Sequence, residues 1–331
     1  MGFIARPIVD SHHHLWDLKS GCYPWLQGEY DAERFILGDY AALCRDFGPA
    51  QYRAACAGLP VVATVHVEAE RDRREALAET AWLHEQNAAN ALPDAVVVWV
   101  DLTAPDAGER LAEQASYPLV RGVRCKPRTG LSPSDPVRNQ AGSLQDPRWS
   151  DGLALLQAHG LSWDLRVPFW HLEQAALLVR QHPKLPVVLE HAGLPWDRSK
   201  EGLAAWRRGM KALAACDNVH VKLSEFGLRD APWDFSDNKR IVRETVAIFG
   251  WQRCMFGSNF PVASLRISYP LLVQAMSVAL VHLEPHARRA IWHDNALRFY
   301  RIDHTHNQGD ETWFQDSQSA PSSGFLSLYS V

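Results

Sequence analysis

The sequence predicts a single-domain α/β protein folded as a closed (β/α)8 barrel, and three observations predict it. Eight apolar, β-branched-rich runs recur between residues 8 and 259, nearly all of them separated by segments with helical spacing. They span roughly 250 residues, the usual size of eight strand–helix units. Nearly every run also ends in a polar residue, as expected where the C-terminal ends of barrel strands build an active site. An open doubly wound sheet is the competing topology, but no glycine-rich phosphate turn follows the first run.

The first strand begins at Ile8-Val9 and runs into Asp10-Ser11-His12-His13-His14. Residues 17–38, rich in Gly, Tyr, Trp and Pro, read as an irregular loop. A helical stretch follows over 39–57, broken by Gly48-Pro49. The later strands are expected at 61–69, 96–102, 119–126, 161–167, 185–191, 219–224 and 254–259. Helices are expected at 71–91, 106–115, 149–159, 171–182, 201–215 and 237–249, with two closing helices near 268–281 and 285–298. Residues 1–303 would then form the barrel domain. Residues 304–331, which shift to Asn, Gln, Ser, Gly and Asp, read as a flexible C-terminal tail.

Composition excludes several classes of function. Apolar residues make up 47% of the 331, enough for a sizeable core, and the net charge is −4. That balance offers no general attraction to nucleic acid or to an anionic membrane. No apolar run approaches the ~20 residues of a membrane helix, and the first residues carry no signal-peptide core. The six cysteines are scattered without paired spacing, which argues against disulfides or a Cys-based zinc site and for a cytoplasmic setting. Several of the thirteen tryptophans are expected at a pocket, with Trp16, Trp25, Trp170 and Trp196 as its aromatic rim. Histidines on helices or in the tail, such as His84, His171, His182 and His293, are expected at the surface.

Along a strand, alternate side chains share a face, so Asp10, His12 and His14 should point one way and Ser11 and His13 the other. Two imidazoles so placed can bind one metal ion or grip an anionic substrate. The other strand ends add His66 and Glu68, Asp101, Arg124 and Lys126, Asp164 or Arg166, His191, Lys222 and Ser224, and Asn259. Arg124 and Lys126 point to an anionic, carboxylate-bearing small molecule. By the same alternation, Glu190 should face away from His191, toward an outer-helix cation. Lys222 is expected to brace a carboxylate below the mouth.

Asp10-Ser11-His12-His13-His14-Leu15-Trp16-Asp17 resembles the opening motif of the amidohydrolase-related TIM-barrel hydrolases, a family that includes sugar lactonases and pyrone-dicarboxylate lactonase. Further matches are Gly122-Val123-Arg124, Glu190-His191-Ala192-Gly193-Leu194-Pro195, Val221-Lys222-Leu223-Ser224 and Met255-Phe256-Gly257-Ser258-Asn259-Phe260-Pro261-Val262. Asn295-Ala296-Leu297-Arg298-Phe299-Tyr300-Arg301-Ile302 closes a set that runs in order from 8 to 302.

The resemblance implies hydrolysis of a cyclic ester, a lactone of a sugar acid or of an aromatic-degradation product. It implies that His12, His14 and His191 polarise the carbonyl or hold one divalent metal, Zn or Mn, and that Arg124 holds a substrate oxygen or carboxylate. No nucleotide cofactor is implied. Asn259 stands where most relatives place the aspartate that serves as general base, and an amide accepts no proton near neutral pH. Glu68 is the first candidate for a substitute base, ahead of Asp101, Glu190 and Glu225. Two other functions remain open: a metal-dependent decarboxylase of the aminocarboxymuconate type, and an inactive barrel that binds a small metabolite. Asn259 counts against the first and favours the second.

Overall fold

Short Val-rich runs bounded by polar turns form strands, and the amphipathic segments between them cover the sheet as helices. The computed structural model describes residues 7–135 and 137–303; the expected tail at 304–331 lies outside them. The strands are β1 (Ile8–His13), β2 (Val61–Val67), β3 (Ala95–Val98), β4 (Val120–Val123), β5 (Ser162–Leu165), β6 (Val187–Leu189), β7 (Val219–Leu223) and β8 (Cys254–Phe256). They pair in chain order and all in parallel. The sheet returns on itself just past β8. There the Asn259 N–H donates to the His12 carbonyl at 2.7 Å and the His14 N–H to the Phe260 carbonyl at 2.7 Å. The predicted barrel is therefore the observed one.

Helices lie where the spacing places them, among them 76–90, 148–158, 172–179, 200–214, 235–249 and 269–280. The stretch at 39–57 reduces to a turn at 41–43 and a helix at Pro49–Ala55, because Gly48-Pro49 restarts the chain. No described helix is long and apolar enough to cross a membrane. All six cysteines are free.

The core has three parts, the smallest of which gathers Trp16, Tyr23, Leu37 and Tyr40 from the segment after β1. Val9, Ala63, Val65, Val97, Val188 and Met255 form one cluster, with Phe299 and Tyr300 of the last helix packed against them. A larger cluster, including Leu153, Trp163, Leu172, Trp206 and Ile241, joins strands to the outer helices. Lys222 is fully buried and braces Asp164 at 2.7 Å; the Tyr300 hydroxyl donates to the same carboxylate oxygen at 2.7 Å. His171, His182 and His293, expected at the surface, are buried instead: His171 and His293 lie on helical turns packed against their neighbours, and His182 lies in the turn after the 172–179 helix with its Nε2 3.1 Å from the Ser150 hydroxyl.

Strict alternation fails in β1. Asp10 sits opposite Thr64 but His13 opposite His66, so β1 uses one residue more than β2 over that step. This bulge puts Asp10 on the side of His13 rather than with His12 and His14. Its carboxylate accepts from the Tyr52 hydroxyl at 2.7 Å, the Tyr269 hydroxyl at 3.1 Å and the Ser258 hydroxyl at 2.6 Å. Asp10 thus ties the outer helices to the barrel's seam.

Candidate active site

The strand ends converge on a cavity of about 310 Å³ lined by His14, Arg124, Lys126, Arg166, His191 and Asn259, with Trp25 and Phe35 from the loop after β1 as its aromatic wall. A larger groove of about 600 Å³ lies outside the barrel by helices 148–158 and 172–179 and carries none of these groups. The barrel-end cavity is the candidate site.

His12, His14 and His191 come together. The His12 ring centroid lies 5.0 Å from that of His14 and 4.6 Å from that of His191. Burial, together with neighbouring cations such as Lys222, Arg166 and Arg124, pushes all three well below the usual histidine pKa, so they are neutral at neutral pH. His14 Nδ1 lies 2.7 Å from the Val67 carbonyl, which can only accept. The neutral ring therefore carries its proton on Nδ1 and its lone pair on Nε2, 3.2 Å from Asn259 Oδ1.

Glu190 does not turn away from His191. It keeps the barrel face that strand alternation gives it, two residues past Val188. His191 and Ala192 then take left-handed backbone, with φ of 56° and 49°, and this brings the imidazole to the same place. Glu190 Oε1 lies 3.5 Å from His12 Nδ1 and Glu190 Oε2 lies 3.7 Å from His191 Nε2. Among the described residues, His12, Glu190 and His191 form the group that could hold a metal, with ligand atoms within 4.8 Å of one another. His12 Nε2 and Glu190 Oε1 are buried without a hydrogen-bond partner. Two histidines and a glutamate with orphaned atoms fit a catalytic zinc site. His14, expected as the third histidine ligand, lies outside that group, with Nδ1 on the Val67 carbonyl and Nε2 turned toward Asn259.

Glu68 is unsuited to the role of base. Its carboxylate accepts from Arg124 Nε at 2.7 Å, Arg73 at 2.7 Å and the Glu70 N–H at 2.9 Å. Burial alone would raise its pKa, but the Arg124, Arg73 and Lys126 charges outweigh it and bring it to about 2. Arg124 lines the cavity, yet it is committed to Glu68 and, at 3.3 Å, to Glu190. Lys126 is paired with Glu70. Arg166, only an alternative in the sequence, lines the cavity and makes no hydrogen bond or ion pair among the described residues. Burial and the Arg124 charge lower its pKa to about 10.

Asn259 donates through Nδ2 to Glu225 Oε2 at 2.5 Å. Burial pushes the Glu225 carboxyl up to about 7 against the opposing hydrogen bonds from Asn259 and the Gly227 N–H. Of the expected aromatic rim, only Trp25 lines the cavity. Trp16 is buried beneath it, ring centroids 5.5 Å apart, with its Nε1 donated to the Arg45 carbonyl at 2.6 Å. Trp170 packs on Phe169 and Trp196, away from the cavity. The loop paths that decide these placements leave no signal in residue spacing.

Comparison with known proteins gives concordant matches. The profile of the family described as amidohydrolase matches residues 9–302. An L-fucono-1,5-lactonase from Burkholderia multivorans is 31% identical over 306 residues, covering 89% of this chain and 96% of that protein. A protein named y4mH from Sinorhizobium fredii is 32% identical over 295 residues, covering 89% and 98%. The crystal structure of a Burkholderia multivorans amidohydrolase with bound zinc superposes with a TM-score of 0.72 at 29% identity, covering 89% of this chain and 99% of that one.

Proposed function

Because the chain belongs to the amidohydrolase family, we propose that it is a lactonase that opens the cyclic ester of a sugar acid, one bearing a carboxylate. The observation that carries this reading is the convergence of neutral histidines, Asn259 and the unpaired Arg166 on one small cavity at the C-terminal ends of the strands. The similarity to L-fucono-1,5-lactonase supports the sugar-acid class. The decarboxylase alternative needs a carboxylate at the end of β8, where Asn259 stands.

Hydrolysis adds water across the ring ester: the carbonyl carbon gains a hydroxyl and the ring oxygen leaves as an alcohol. His14 Nε2 is placed to take the proton of the attacking water, and Asn259 Oδ1 then accepts a hydrogen bond from the protonated ring. His191, held by a 2.8 Å contact between its Nδ1 and the Ser224 hydroxyl, would donate from Nε2 to the carbonyl oxygen in a metal-free site and give up that role to a metal where one is held. Arg166 receives the carboxylate. A metal held by His12, Glu190 and His191 would polarise the carbonyl and acidify the water.

The test is turnover of a panel of lactones and amides by the purified protein, with and without added zinc. L-Fucono-1,5-lactone and carboxylated sugar lactones should be opened. Turnover of amides with every lactone inert would overturn the reading.

A further inference from the structure

Asn259 removes a charge from the end of β8, and the structure places another directly behind it. Glu225, just past β7, is 3% exposed and does not line the cavity; its Oε2 meets the Asn259 amide at 2.5 Å. Both residues sit in left-handed backbone, Glu225 at φ 45° and Asn259 at φ 55°. Asn tolerates that conformation, whereas Glu is strained there. A glycine would relieve the strain, so the carboxylate is held at a cost that its bond to Asn259 helps to offset.

We propose that Glu225 is a positioning residue of the lactonase reaction: its ionised carboxylate anchors Asn259 Nδ2 and so turns Asn259 Oδ1 toward His14 and the cavity. The inference rests on the lactonase reading of the site. The amide has one donating and one accepting end, so its two neighbours decide how it lies. An ionised Glu225 can only accept, which fixes Nδ2 on it and leaves an acceptor facing His14 Nε2. A protonated Glu225 donates instead; the amide then turns over and presents Nδ2 to His14. One proton behind the site thus exchanges an acceptor for a donor inside it.

The groups facing Glu225 are few. Arg266, from the segment after β8, and Arg166, at the end of β5, favour its charge. The Gly227 N–H donates to its other oxygen at 3.2 Å. Burial opposes its charge, so the carboxyl titrates where the reaction is measured.

The test is a cycle of Glu225→Gln, Asn259→Asp and the double variant, with pH profiles of kcat/KM for a lactone that the wild type opens. Wild type should lose activity as pH falls through neutrality. Glu225→Gln should lose that acid limb and roughly 10- to 100-fold in kcat, the penalty of a misoriented polar group. Asn259→Asp alone sets two carboxylates together to share a proton and should give no gain. The double variant, with its single carboxylate moved into the cavity, should recover at least wild-type kcat. Glu225→Gly, suited to the left-handed backbone, replaces Gln if that variant does not fold. An unchanged acid limb in Glu225→Gln, or a double variant no better than Glu225→Gln, overturns the proposal.

A readout without turnover separates this inference from the lactonase reading. The side-chain amide NMR signals of Asn259 should shift with pH in the wild type and stay fixed in Glu225→Gln. If no lactone is opened yet those signals titrate, the lactonase reading fails and the amide's control by Glu225 stands. Signals that do not titrate in the wild type overturn that control.

Discussion

Arg124 and Glu68 form a buried ion pair, Nε to Oε1 at 2.7 Å, and the Arg124 guanidinium also donates to the Glu68 backbone carbonyl at 2.5 Å. The pair locks the end of β4 to the end of β2 and spends the cation that the sequence offers most plainly to a substrate.

Glu68→Gln should therefore act on folding before chemistry. It leaves Arg124 and Arg73 short of a carboxylate, and breaking a buried pair costs about 3–5 kcal/mol. Thermal melts should show the loss. A variant with wild-type stability and no turnover would return Glu68 to the reaction.

The same carboxylate sets an acid limit. Its folded pKa, about 2, lies below the ordinary 4.5, so its contribution is present in full above pH 4.5 and is lost as pH falls toward 2. Denaturant titrations between those values should show stability falling by an amount on the order of 3 kcal/mol.

Glu79 acts in the opposite direction. Burial and the Glu68 charge raise its pKa from 4.5 to about 7, so the folded state keeps its proton where the unfolded state has lost it. Its contribution is complete below pH 4.5 and lost as pH rises through 7. Glu79→Gln can retain the acceptor for the Ala69 N–H, now 2.8 Å away, without titrating. It should be more stable than wild type at pH 8, by up to about 3 kcal/mol, with that advantage shrinking as pH falls toward 5.

Arg166→Met should separate binding from stability. Losing a charge-assisted contact to a substrate carboxylate costs about 1.5–3 kcal/mol, so KM should rise roughly 10- to 100-fold. Stability should hold, because the partly exposed guanidinium makes no hydrogen bond or ion pair among the described residues. An unchanged KM for carboxylated lactones would remove Arg166 from substrate binding.

Zinc titrations should distinguish the histidines. Glu190→Gln and His191→Asn should each weaken zinc binding at least about 10-fold, and His14→Asn should weaken it less. Equal losses in all three would place His14 among the ligands.

Much of this site is legible in the chain because strand order and strand ends are. Val-rich runs and their terminal residues suffice to bring His12, His14, Arg124, His191 and Asn259 to one mouth. Other parts depend on single backbone angles. His191 joins Glu190 on the barrel face only because His191 and Ala192 adopt positive φ, and Asp10 leaves the histidines only because β1 carries an extra residue. Pairing preferences are equally hidden. Nothing in residue spacing shows that Arg124 is consumed by Glu68 while Arg166 stays free, or that Glu225 lies behind Asn259.

The two backbone bonds that shut the barrel, Asn259 to His12 and His14 to Phe260, are made by the residues that face the substrate or by their immediate neighbours. The first and last strands therefore cannot part without dismantling the reactive centre. Inactivation and loss of the N-terminal strand become one cooperative event. The amide hydrogens of His14 and Asn259 should exchange with solvent only as fast as activity disappears in denaturant. A partly opened barrel that still turns over substrate has no place in this architecture.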